Sequence, residues 1–388
     1  MSWPLLLLDS VAERGSGHTP SQKHPEYWDD GIKWVSLADS SALDRRYIFD
    51  TAKKISKLGL RHSSAVLHPK GTVIVSRDAG VGKSAILGDE MCVSQHFIAW
   101  RCDDKRLCSE YLYQWLQSEK TEFERIATGS TVKTIGLGYF QKLRVPVPPI
   151  GIQRSIARAL DAWDTAIQKA DQLIASKERR LRQWRDSLLR LPDRAVPTKL
   201  RAVTKELTMR NGSALGRDAI MAVTKQVGMR PMREETIAVN IQRYKVVPPR
   251  AFAYNPMRLN IGSIAMSQFD RDVLVSPDYV VFACDESRLL PAYLHHVRHT
   301  QHWRNHFELA GNGSVRIRIY YDDLGTFTLP LPPVEIQAGV ADFLDAAARE
   351  IVLLGQQLDV IRAQKRGLMQ KLLTGQWRLS IHEQKENA

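Results

Sequence analysis

The residues of this chain that could do chemistry fall in short polar stretches broken by glycine. Residues 80–84 read GVGKS, the ending of a loop whose backbone amides cradle a nucleotide's phosphates while its lysine meets the terminal ones. That loop needs a glycine five positions before Gly82, and Arg77 stands there. The stretch is read instead as a turn between two strands, with Lys83 facing solvent or a phosphate backbone. Asn255-Pro256-Met257 lacks the second proline and the aromatic of an adenine-methylating loop, and Pro277-Asp278 has no ExK partner on the next strand. The eleven histidines form no HExxH motif. Cys92, Cys102, Cys108 and Cys284 have neither CxxC spacing nor histidines at ligand distance, so they read as structural thiols of a reduced compartment. No catalytic centre and no metal site is expected on this chain.

Binding is the better use of these side chains. Lys and Arg number 55 against 42 acidic residues, a formal charge of +13, which favours a polyanionic partner: nucleic acid first, an anionic membrane surface second. Basic residues recur in predicted turns beside small hydrogen-bonding ones. Thr19, Ser21 and Lys33 form one group; Arg77, Lys83 and Ser84 a second; Ser130, Thr131 and Lys133 a third. In the other half Lys225, Arg230, Arg233, Arg243, Tyr244, Lys245, Arg250, Arg258 and Asn260 are dense, followed by Ser314, Arg316 and Arg318. Such groups suit phosphate oxygens, and Arg, Lys, Asn and Gln can read base edges. Tyr139, Phe140, Tyr320 and Tyr321 are read as core aromatics rather than base-stacking groups.

These turns need a framework, and residues 145–189 supply its plainest part. Pro146, Pro148 and Pro149 open the stretch and cannot lie inside a helix. Ile156, Leu160, Trp163, Ile167, Ala170, Ile174, Leu181, Trp184 and Leu188 then follow at spacings of four and three, a heptad seam interrupted only by Lys177. The pattern returns over residues 329–373, shifted by about 184 positions, so that Gln153 meets Gln337, Asp161 meets Asp345 and Leu188–Leu189 meet Leu372–Leu373. Gly375 fits the stop of the second helix. Each helix of about 37 residues would be roughly 55 Å long, and matching seams predict antiparallel packing.

The segments before each helix repeat as well. Residues 93–103, VSQHFIAWRCD, align with residues 275–285, VSPDYVVFACD, and GSTVKTI from Gly129 aligns with GSVRIRI from Gly313. Residues 27–39 carry a strand at Lys33-Trp34-Val35, residues 71–87 two short strands around a glycine-rich turn, and Leu112, Trp115 and Leu116 mark a short helix. The expected fold is α+β: two mixed α/β domains separated by two long antiparallel coiled-coil helices, with an internal pseudo-two-fold repeat. The boundaries are 1–147 for the first mixed domain, 148–192 for the first helix, 193–331 for the second domain, and 332–388 for the second helix and tail.

In the order and duplication of these motifs the whole chain resembles the DNA-specificity subunits of type I restriction–modification systems. The two PPI/PPV-x-x-Q-x-x-(I/V)-A-x-x-L-D segments at Pro148 and Pro332 carry the resemblance most strongly. GTVIVSRDAGVGK, CVSQHF and TGSTVK support it in the first half, as does KVVPPRAFAYNPMRLNIGSI in the second. The resemblance implies that each mixed domain is a target recognition domain reading one half of a split double-stranded DNA sequence. It implies that the helices space the domains and bind two modification (methyltransferase) subunits. Cofactors then belong to the partners: S-adenosylmethionine on the modification subunits, ATP and Mg with the restriction/translocase subunits, none on this chain. The second half departs from the first around residues 209–258, which leaves its reading residues open.

Two other readings stand beside this one. A coiled-coil interaction scaffold that binds no DNA accounts for the seam and the repeat but not for the basic turns, and a nucleotide hydrolase would rest on residues 80–84 alone. No transmembrane run is present, and Leu5–Leu8 is too short for a signal-peptide core, so no membrane association and a cytoplasmic location are expected.

Overall fold

The computed structural model describes residues 2–190, 197–225, 228–308 and 318–379. The chain divides into two compact units, one of Met1–Ala170 with Gln357–Ala388, the other of Asp171–Gln356. The division cuts both long helices, Ile150–Leu188 and Val334–Leu373, so each unit holds one mixed domain and a segment of each helix.

The first unit is built on a five-stranded sheet ordered Ala12–Ser16, Phe97–Cys102, Val73–Ser76, Ser84–Leu87 and Tyr47–Ile48, antiparallel except at the last pair. Val73–Ser76 and Ser84–Leu87 are buried along their whole length, as continuous short runs between turn signals predict. Their connecting turn needs the left-handed backbone of Gly80 (φ 107°) and Gly82 (φ 83°). A second sheet pairs Lys53–Ile55, Trp28–Val35 and Cys92–Val93, with Trp34 and Val35 entering the core as expected. The predicted helix over Leu112–Leu116 is Ser109–Ser118.

Trp100, Tyr111, Phe123 and Phe140 pack with Ile156, Ala157 and Leu160 of the first long helix and with Met369, Leu372 and Leu373 of the second. Asp164 meets Lys365 at 2.5 Å, so within this unit the two helices run antiparallel. The chain's beginning closes the cluster: Trp3 Nε1 donates to the Leu372 carbonyl at 2.8 Å. Gly375 lies so close to the Trp3 ring that a β-carbon there would come within 3.0 Å of it.

The second unit repeats the plan. Its four-stranded sheet runs Thr204–Glu206, Val280–Cys284, Phe252–Tyr254 and Ile264–Met266, all antiparallel. Trp100 faces Val73 in one sheet as Phe282 faces Phe252 in the other. The two sheets therefore share connectivity even where their sequences have diverged. The core holds Phe252, Phe282, Tyr293, Trp303 and Phe327 against Leu181, Leu189 and Leu344 of the helices. Trp184 packs edge-on against Phe343, with centroids 4.9 Å apart, and Lys177 pairs with Glu350 at 2.6 Å, again an antiparallel run. Lys177, the interruption of the seam, is thus met by a carboxylate. The end of the seam needs correction: the helix stops at Leu188, which is exposed, and Leu189 is the residue buried as the chain turns away.

The repeat extends to single hydrogen bonds. Gln153 accepts from the Cys108 amide and donates to the carbonyls of Arg106 and Pro148. Gln337 accepts from the Leu290 amide and donates to the carbonyls of Arg288 and Pro332. Tyr111 donates to the Pro146 carbonyl as Tyr293 does to that of Pro330. Each pair ties a proline knot to its own mixed domain.

Candidate nucleic-acid interface

In the first unit four loops meet at the tip of the Val73–Ser76/Ser84–Leu87 hairpin. Residue Gly17 lies against the backbone of Val93 and Ser94, leaving no room for a side chain, and Thr19 Oγ1 donates to Gln95 Oε1. The Arg77 amide donates to the His96 carbonyl at 2.9 Å, and the His96 ring meets Asp78 at 2.9 Å. Arg77 Nε donates to the Ile135 carbonyl at 3.1 Å, while the Ala79 amide reaches the Lys133 carbonyl at 3.3 Å. These bonds hold Thr19, Arg77, Ser130, Thr131 and Lys133 along one edge, with the last three side chains exposed.

In the second unit the equivalent hairpin, Phe252–Tyr254 with Ile264–Met266, gathers another part of the predicted set. Arg258 and Asn260 lie in its turn, which Asn255 fixes by accepting from the Met257 amide at 2.9 Å. Ser263 Oγ donates to the Val223 carbonyl at 2.8 Å and holds the neighbouring hairpin, Met221–Thr224 with Gly228–Pro231, alongside. Lys225 extends from that neighbour past Gly262. The Ile319 amide donates to the Pro256 carbonyl at 3.0 Å, which brings exposed Arg318 to the same tip.

Other predicted residues stand elsewhere. Ser84 is fully buried: its hydroxyl accepts from Gln117 and its amide donates to Asp44, so it is a core residue, not a surface contact. Lys83 folds back onto Ser40, donating to its carbonyl at 3.0 Å and its hydroxyl at 2.9 Å, so it does not face solvent freely. Lys33 pairs with Asp89 at 2.9 Å, and this lysine holds the Asp89 carboxyl below its ordinary range. Ser21 is exposed and accepts from the Lys23 amide. Tyr244 is buried, its hydroxyl accepting from the Ala238 amide, which removes it from the surface set. Lys245 is half-buried on the strand Lys245–Val247, and burial lowers its pKa. Arg243 is exposed on a separate turn, and Arg230 is exposed on the hairpin beside the tip. Ser314 and Arg316 lie outside the described residues. Tyr320, expected in the core, is half-exposed with its hydroxyl 3.3 Å from Arg318 Nη1; Phe140 is buried and Tyr139 and Tyr321 are half-buried.

The arrangement offers exposed ammonium and guanidinium groups beside hydroxyls and amides, a set that engages phosphate oxygens and base edges. Sequence reasoning missed Gln95 and His96, a polar pair between two apolar strands that could have been marked as a tip. It also missed Arg298 and Arg304, which only the tertiary fold brings to the second tip. Residues 80–83 lie in the hairpin turn and Ser84 opens the next strand, not the helix a phosphate loop requires. Burial pushes the thiols of Cys92, Cys102 and Cys284 up to about 12 and that of Cys108 to about 11, consistent with structural roles. No helix among the described residues is long and apolar enough to cross a membrane.

Residues 3–176 match the family model of the type I restriction modification DNA specificity domain. The MjaIX specificity subunit of Methanocaldococcus jannaschii is 29% identical over 169 residues, 43% of this chain and 39% of the relative. The EcoprrI specificity subunit of Escherichia coli is 23% identical over 222 residues, 53% of this chain and 55% of the relative. The chain thus spans about half the length, or less, of the curated relatives it matches. The crystal structure of a type I restriction–modification system S subunit from M. genitalium shares the fold at a TM-score of 0.54 and 11% identity, covering 96% of each chain. A chain from a study of complex assembly and conformational transition of the type I R-M system aligns at a TM-score of 0.61 and 16% identity, over 97% of this chain and 98% of that one. Domain match and relatives agree on the first part of the chain: residues 3–176 are similar to type I restriction modification DNA specificity domains, and the chain as a whole shares its fold with the solved S subunit.

Proposed function

We propose that this chain binds a two-part double-stranded DNA target, its first mixed domain reading one half and its second the other. The observation that carries the reading is the pair of equivalent hairpin tips, each bearing basic side chains while the surrounding residues differ. Shared charge serves the phosphates of any sequence; divergent neighbours serve different bases. The long helices offer themselves to two modification subunits, and exposed Ile336, Phe343, Val352, Leu353 and Val360 on the second helix suit apolar partner contact. In this reading methyl transfer from S-adenosylmethionine to adenine takes place on the modification subunits. ATP- and Mg-dependent translocation and cleavage take place on restriction/translocase subunits, in the cytoplasm, while this chain is non-catalytic and selects the site.

Methylome sequencing of cells carrying this protein with its modification partner tests the proposal. A single split motif is expected, and exchanging residues 197–331 for those of another family member should rewrite one half of it. Rewriting of both halves would sink the assignment. A gel shift with random duplex DNA separates it from the interaction scaffold, which would not retard the duplex.

A further inference from the structure

Behind the hairpin tip of the second unit lies a cavity of about 160 Å³, large enough to hold several water molecules. Lys225, Asn260, Arg298, His299 and Arg304 line it over an apolar wall that includes Trp303, and among the described residues no Asp or Glu lines it. Arg298 is the central group. Its Nη1 donates to the Ile264 carbonyl at 2.9 Å and its Nη2 lies 3.2 Å from His295 Nδ1, while its Nε is buried with no partner among the described residues. Among the described residues Arg304 donates to uncharged acceptors, the Gln301 side chain and the His299 carbonyl. Burial, with Arg185 nearby, lowers the Arg298 pKa to about 9, and burial beside Arg298 holds His295 and His299 far below their ordinary value, hence uncharged. The cavity therefore presents guanidinium and ammonium groups with no counter-charge among the described residues that line it.

The first unit shows the alternative. The sheet registers and the Tyr111/Tyr293 correspondence put buried Leu116 at the place of Arg298 and Gln117 at that of His299. There Gln117 donates to Asp44 and Ser84, and Asp44 pairs with Lys120 at 2.6 Å. The first unit carries its own carboxylate, whereas none of the described residues lining the cavity of the second is acidic.

We propose that this cavity is a phosphate pocket, taking one backbone phosphate of a bound duplex, with Arg298 and Lys225 as its principal ligands and Arg304 beside them. The pocket's source of phosphate rests on the DNA-binding reading above, because Lys225 and Asn260 belong to the same tip. The full chain is tested in two arms. In the first, the thermal midpoint is followed with inorganic phosphate against chloride at matched ionic strength. In the second, anisotropy with a random-sequence duplex is followed against salt.

Wild type should gain stability from phosphate beyond the effect of chloride. The rim variant Lys225→Ala/Arg304→Gln should lose that gain, and its salt slope should fall by about one, the change for one lost phosphate contact. Arg298→Leu, if folded, should lose both; the rim variant decides if it does not fold. Loss of the phosphate response with an unchanged slope would overturn the duplex as the source, as would a wild type that fails to bind duplex at all. No phosphate response in wild type together with an unchanged slope would overturn the pocket. Lys133→Ala in the first unit should lower the slope with the phosphate response intact, so failure of DNA binding and failure of the pocket are told apart.

Discussion

Gln153 and Gln337 occupy the same place in two halves of one chain and make the same three hydrogen bonds, each to a loop amide and two carbonyls. Both are fully buried. Leucine at either position keeps the volume but strands one donor and two acceptors. Each of Gln153→Leu and Gln337→Leu is expected to cost on the order of 3 kcal/mol, since unsatisfied buried groups cost about 1–3 kcal/mol apiece. Urea denaturation of the two single variants checks this; a loss under half that size in both would show the bonds to be dispensable.

Lys177 interrupts the apolar seam and pairs with Glu350, yet both groups keep contact with water, at 30% and 54% exposure. Such pairs contribute about 0–1 kcal/mol. Lys177→Leu restores the heptad and should leave the melting temperature unchanged or raise it by a few degrees, on the order of 1 kcal/mol. A clear drop in melting temperature would mean that the ion pair matters more than the seam.

His296 sets a pH dependence. Arg185 Nε donates to its Nδ1 at 3.3 Å, so Nδ1 accepts and the proton is on Nε2, 3.0 Å from Asp345. Burial first, and Arg185 next, hold its pKa below the ordinary 6.5 despite the carboxylate. Between 6.5 and the folded value the unfolded chain takes up a proton that the folded chain refuses. Stability is therefore fully present above pH 6.5 and falls as the pH drops, by about 1.4 kcal/mol per unit for such a group. His295 and His299 are depressed in the same direction and add to the slope. Glu110, also depressed, acts only below about 4.5, in a separate window. Denaturation midpoints from pH 7 to pH 5 should fall steeply in wild type and less steeply in His296→Gln; equal slopes would remove His296 as a cause.

The placement of the basic residues separates two lysines that look alike in sequence. Lys133 is exposed at the first tip, whereas Lys33 is held by Asp89. Lys133→Ala should weaken duplex binding across all sequences and lower the salt slope by about one. Lys33→Ala should leave both within error. The reverse pattern would move the interface to the other sheet of the first unit.

Much of the framework was legible because it is periodic. The heptad spacing marks the helices, the match of Gln153 with Gln337 marks their repeat, and their matching seams predict antiparallel packing. The glycines at 80 and 82 marked a turn because only that backbone accepts their positive φ. The site was less legible. Ser84 looks like a turn hydroxyl, but its strand is buried along its whole length, so no alternation distinguishes an inner from an outer face. Lys83 folds onto Ser40, 43 positions away, a contact no local pattern encodes. Arg298 gains its environment from Ile264 and His295 and reads, in isolation, as one more surface arginine at a helix end.

The bond from Trp3 to the Leu372 carbonyl sets an order of events on the ribosome. Met369, Leu372 and Leu373, which cover Ile156, Ala157 and Leu160, are translated only after the whole of the second mixed domain. Throughout synthesis of the second mixed domain the nascent first one carries an uncapped apolar face. A ribosome stalled between the two long helices would release a fragment whose greasy side invites chaperone capture or proteolysis.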